Sequence, residues 1–276
     1  MTHIGVVSYL NARPLVEGLL DSVGLRLSFD VPSRLAERLF AGEFAAALLP
    51  VVDVLRSRGR CEILSDSCIA CDGETMTVRV FSQVPPHRVQ MIRADADSHT
   101  SVALARVLWR ELYGIDVQMR PLAGGVENAH QHEAVLLIGD KVVDPRRGSF
   151  AYETDLGGAW RQHTGLPFVF AVWAQPPGGA GEDGGRLAAM LSESRDRGVE
   201  RAERIAEEQA ARHGFSTAAA VRYLTRCLRF RLDERTIRGA EVFARHCREL
   251  GIVPSDGVMT WPGARAIGAP AEGRVR

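Results

Sequence analysis

No window of this 276-residue chain is apolar for long enough to cross a bilayer. The N-terminus lacks a basic segment followed by a long apolar run and leads straight into strand-like residues, so no signal peptide is expected. Neither sign of charge is in excess. Lys plus Arg and Asp plus Glu stand at 34 each, which argues against a nucleic-acid or membrane surface. The five cysteines are an odd number, and without an export signal they are expected as reduced thiols in the cytoplasm. The Walker loop, the G-x-G-x-x-G fingerprint and the G-x-S-x-G elbow are all missing. Cys68 and Cys71 form a lone C-x-x-C between a strand and the Asp72-Gly73 turn, with no second pair and no His at finger spacing. That speaks against a zinc site and against a redox motif, which would open a helix. His130 and His132 stand at i,i+2 and do not share a helix face. There is no internal repeat.

What is present is an ordinary core-forming composition, 46% hydrophobic and 25% charged. The run His3 to Val7 reads as a buried parallel-type strand. Pro14 suits the first turn of a helix running on through Leu15, Leu19 and Leu20. Ser8 and Asn11 therefore fall where a strand ends and a helix begins, the place where open α/β sheets bind ligands. Asn11 fits a simple N-cap equally well. Strand-like Leu25 to Phe29, a helix over 34–41, the apolar run Phe44 to Leu49 and a short helix over 51–58 continue a doubly wound pattern.

Strand-like segments around Cys61 to Leu64 and Thr75 to Phe81 follow, and Pro85-Pro86 breaks the pattern. This break is read as a crossing into a second lobe spanning 85–170, and the bulky strand Phe168 to Trp173 as the crossing back. Lobe 1 then comprises 1–84 and 171–276, with the ligand cleft between. Within lobe 2, Ser98-His99-Thr100-Ser101 stands at a helix start behind Asp95 and Asp97. Hydroxyls and free N–H groups there suit a carboxylate or phosphate, or serve as plain caps. His99 reads as a base, a carboxylate donor or an exposed helix-start residue. Helical spacing fills 185–198, 200–213, 217–229 and 234–250, with Arg195 to Arg212 expected as a solvated face. Pro176 to Gly185 reads as a loop, and the tail from about Pro262 has little periodicity.

The residues alone reach a two-lobed binder of a small anion. The stretches 8–15 (Ser-Tyr-Leu-Asn-Ala-Arg-Pro-Leu), 42–50, 100–104, 137–140, 155–157 with Trp160, and 164–173 resemble the menaquinone-biosynthesis family of the futalosine route. The resemblance runs from the N-terminus to about Trp173. It implies a type 2 periplasmic-binding-protein-like α/β fold, with two lobes, each a mixed, mostly parallel sheet flanked by helices, and a helical C-terminal segment. It implies a cytoplasmic hydro-lyase that turns the dicarboxylate chorismate into 3-[(1-carboxyvinyl)oxy]benzoate, with no metal and no cofactor. Asn11 and Thr77 are its implied catalytic residues, Thr77 on the strand before the hinge. Ser8, Tyr9, Arg13, His99, Thr100, Ser101, Gly139, Asp140 and Asp155 are the implied substrate-binding set. Two other expectations stay open: a sibling that makes 1,4-dihydroxy-6-naphthoate, and a non-catalytic small-anion binder. No nucleic-acid or membrane partner is expected.

Overall fold

Short apolar strands, each capped by polar residues, build two sheets. The computed structural model describes residues 1–95, 98–178 and 181–262. Asp97 and the aperiodic tail beyond 262 lie outside the described residues. The elements run β1 (Thr2–Val7), β2 (Leu25–Asp30), α1 (Pro32–Phe40), β3 (Ala46–Pro50), α2 (Val51–Arg56), β4 (Glu62–Cys71) and β5 (Val78–Ser82). Then come β6 (Met91–Ala94), α3 (His99–Tyr113), β7 (Gln118–Pro121), β8 (Ala134–Ile138), β9 (Tyr152–Asp155), α4 (Leu156–Thr164) and β10 (Phe168–Gln175). The C-terminal part is α5 (Gly181–Glu200), α6 (Ala202–Gln209), α7 (Thr217–Arg222), β11 (Leu228–Arg231) and α8 (Glu234–Glu249).

The first sheet has the order β11-β4-β10-β3-β1-β2, and the second β7-β6-β8-β5-β9. β1 lies between β2 and β3, parallel to both, which is why its centre is apolar on both faces. Parallel pairs are fewer than expected. In the first sheet β10 pairs antiparallel with β3 and β4, and β11 antiparallel with β4. In the second, β5 pairs antiparallel with β8 and β9. The cause is the route of the chain: β10 returns from the second sheet and inserts in the reverse direction between strands already laid down.

The outward crossing also moves. Val78–Ser82, expected in lobe 1, lies inside the second sheet between β8 and β9. The chain therefore leaves the first sheet over 72–77, before Pro85-Pro86, and re-enters it at Phe168. A strand joins the sheet that satisfies its N–H and C=O groups, whichever side of a proline it falls on. The first helix is also shorter than the spacing predicts. Leu10–Val16 is a single 3-10 stretch, which tolerates Pro14 but does not carry on to Leu20. The run 217–229 is not one helix either: a π-helical turn, Tyr223–Cys227, follows α7 and β11 follows that. Cys68 and Cys71 belong to β4, which ends at Cys71 just before the Asp72-Gly73 bend, and burial pushes both thiols up, so they stay protonated and inert. Arg195, expected in solvent, is buried between Asp66 and Asp196.

The lobes share a core. Trp160 on α4 is fully buried, its Nε1 donates to the Pro167 carbonyl (3.1 Å), and its ring meets Phe168 of β10 (5.4 Å) and Phe243 of α8 (6.1 Å) edge-on. Trp160→Ala is expected to cost about 3–5 kcal/mol, measured by urea unfolding. A loss under about 1 kcal/mol would show that the cluster does not join the lobes.

Candidate active site

A pocket opens where the two sheets meet, the kind of place where two-lobed α/β folds hold small molecules. Residues from the start of the chain (Tyr9, Asn11), the crossing segment (Thr75, Thr77), the start of α3 (Ser98 to Ser101), the end of β8 (Gly139) and the π-turn (Tyr223) line it, on a floor of apolar side chains such as Phe170 and Ile138. Tyr9, Asn11, Thr77, His99, Thr100, Ser101 and Gly139 thus line one pocket.

Asn11 is not a helix cap. The N-cap of its 3-10 stretch is Tyr9, and that cap makes no side-chain hydrogen bond. Leu10, Ala12, Pro14 and Leu15 anchor the stretch in the core and leave the Asn11 side chain for the pocket. Among the described residues its Oδ1 is buried without a hydrogen-bond partner, and so is Ser98 Oγ. Such atoms typically cost about 1–3 kcal/mol each, a cost that a bound donor removes. Gly139 has φ +57°, and a Cβ there would stand 2.9 Å from the Tyr9 ring; its N–H donates to the Thr77 carbonyl (2.8 Å). Only glycine combines this backbone with so close a ring.

The start of α3 faces both lobes. Thr100 Oγ1 accepts from the Val52 N–H of α2 (3.3 Å), and His99 Nδ1 lies 2.9 and 3.0 Å from the two oxygens of Asp53. Each contact crosses between the sheets. Thr77 sits in the crossing segment, one residue before β5 rather than on a strand, and its hydroxyl contacts the Tyr223 hydroxyl at 2.6 Å.

Four implied residues are not in the lining. The Ser8 backbone N–H closes on the Asp30 carbonyl (3.0 Å). The Arg13 guanidinium lies over the Phe29 ring (4.7 Å), and burial with Arg212 nearby pulls its pKa down. Asp140 accepts from the Leu10 N–H (3.4 Å) and meets His213 Nδ1 (2.6 Å), tying the second lobe to the first. Asp155 accepts from the backbone N–H groups of Thr75 (2.9 Å), Met76 (2.8 Å) and Gly158 (3.0 Å). It caps α4 and holds Met76 in the left-handed region at φ +67°, so it shapes the crossing segment instead of touching a ligand. Desolvation raises its pKa, against those N–H bonds. The two carboxylates are thus taken up by local donors, and the Arg13 cation by an aromatic ring. Tyr223 and Thr75 went unmarked, and helical spacing over 217–229 carries no sign of a residue turned into a cleft.

Among the described residues, those lining the pocket include no Asp, Glu, Lys or Arg. Hydroxyls, one amide, one imidazole and a helix start remain, which suits a carboxylate-bearing ligand held by neutral donors. Among the described residues no helix is long and apolar enough to cross a membrane.

Comparison with known proteins agrees with this geometry. A family described as menaquinone biosynthesis matches residues 2–249. A chorismate dehydratase of Thermus thermophilus is 30% identical over 261 residues, 87% of this chain and 93% of that protein. Among solved structures, an Archaeoglobus fulgidus protein superposes with TM-score 0.72 at 13% identity, over 91% of this chain and 98% of that one. The periplasmic aliphatic sulphonate binding protein of Escherichia coli does so with TM-score 0.64 at 12% identity, over 93% and 94%. The fold is therefore the two-lobed one of periplasmic binding proteins, and the chain belongs to the menaquinone-biosynthesis family.

Proposed function

We propose that this member of the menaquinone-biosynthesis family is a hydro-lyase that converts chorismate to 3-[(1-carboxyvinyl)oxy]benzoate and water. The observation that carries the reading is the pocket itself: neutral donors from both lobes converge on it, next to the buried, unpartnered oxygens of Asn11 and Ser98. The 30% identity to a chorismate dehydratase supports the choice of substrate.

Chorismate carries two carboxylates and becomes aromatic on losing water, so the protein has to orient groups and exclude solvent more than supply a strong base. The electrons of the C3–H bond form the new ring double bond as the C4–O bond breaks. The substrate's own enolpyruvyl carboxylate takes the C3 proton and passes it to the departing C4 hydroxyl, which leaves as water and returns the carboxylate to its charged form. Asn11 holds that carboxylate or the departing hydroxyl, and Thr77 holds the substrate from the opposite wall. The α3 start, with Thr100 and Ser101, takes a carboxylate on free N–H groups and hydroxyls. His99, paired with Asp53, keeps that helix start against the first lobe.

Mixing the protein with chorismate and resolving the products by chromatography tests this reading. One aromatic product per chorismate consumed is expected. Tight binding of chorismate with no product would instead identify a binding protein and overturn the dehydratase.

A further inference from the structure

Tyr223 reaches the pocket from a part of the chain that shares no motif with the rest of the site. It heads the π-helical turn Tyr223–Cys227, a rare geometry that recurs at functional sites. The residue is 1% exposed, and its ring stacks on Phe215 with centroids 5.7 Å apart and planes 5° from parallel. The hydroxyl lies 2.6 Å from Thr77 Oγ1, and Asn11 lines the same pocket. Burial pushes the phenol up, so it keeps its proton at neutral pH.

Two residues from distant stretches thus meet in one hydrogen bond, with Asn11 in the same lining. Two hydroxyls carry two protons. One proton bridges Tyr223 and Thr77, and the other is left to donate into the pocket. Asn11 Oδ1, buried and without a partner, adds an acceptor beside it. We propose that Tyr223 is a positioning residue for the dehydration: its hydroxyl locks Thr77 into a hydrogen-bonded pair aimed, beside Asn11, at the substrate oxygens. This rests on the dehydratase reading above. The rigid stack on Phe215 supplies the fixed point, because an aromatic side chain with two torsions held by packing loses little order when it makes a hydrogen bond.

The test is a double-mutant cycle of Tyr223→Phe and Thr77→Val on chorismate turnover. Tyr223→Phe keeps the stacked ring and removes only the hydroxyl. It is expected to lower kcat by about 10-fold or more, with KM within about threefold and the melting temperature within about 2 °C of the parent. The double variant should be no slower than the slower single one, since residues acting as a unit are non-additive. An unchanged kcat in Tyr223→Phe, or losses that multiply in the double variant, would overturn the proposal. A parent that makes no product would refute the dehydratase reading separately. The same cycle read on chorismate affinity by calorimetry would then decide the Tyr223 unit, with non-additive losses supporting it and additive ones overturning it. A parent that does not bind chorismate would overturn both.

Discussion

Asn11→Ala is expected to lower kcat for chorismate by about 10²–10³-fold, the usual cost of removing one preorganised hydrogen-bonding group aimed at developing charge. Stability should move the other way. Asn11 Oδ1 is a buried oxygen without a partner, so deleting it removes an unsatisfied group, and the melting temperature should hold or rise. This opposition separates a functional asparagine from a structural cap, whose loss destabilises by about 1 kcal/mol. Steady-state turnover and thermal unfolding on the same preparation check both halves. Turnover within about threefold of the parent would remove Asn11 from the mechanism.

Among the described glycines, Gly198→Ala is expected to be the most damaging added methyl group. Gly198 lies on α5, and a Cβ there would overlap the Pro14 carbonyl oxygen, backbone against backbone, where no side chain can swing aside. The same contact is stitched by Ser194 Oγ, which donates to the Leu15 and Glu17 carbonyls (3.1 and 3.0 Å). Alanine must push α5 away from the 3-10 stretch that carries Asn11. Overpacking of this kind costs about 1–3 kcal/mol or more, roughly 3–10 °C in melting temperature for a chain of this size. Displacing Asn11 by even part of an ångström should lower kcat by about 10-fold or more. Thermal unfolding combined with turnover decides it. A variant matching the parent in both would mean that α5 does not set the position of the 3-10 stretch.

The two predictions share one mechanism. The 3-10 stretch is held on its apolar side by the core and by α5, and it presents Asn11 on the other. Position is set by packing, and chemistry by the one polar residue that packing leaves over.

Much of this was legible beforehand. Strand and helix alternation follows from short apolar runs interrupted by turn residues, and those runs survive as β1, β3, β8 and β10. The polar starts at 8–11 and 98–101 mark the ends of strands, and there the pocket forms. Three features were decided only by the folded chain. Val78–Ser82 joined the second sheet because β8 and β9 offered it partners on both edges, information that no single stretch contains. Asp140, Asp155 and Arg13 left the site because nearby donors and a phenylalanine ring claimed them first. Tyr223 entered it through a π-turn, which has no hydrophobic period of its own. Local pattern reports that a residue will be buried or exposed. What it is buried against depends on contacts between positions more than a hundred residues apart, and only closure of the two lobes brings those together.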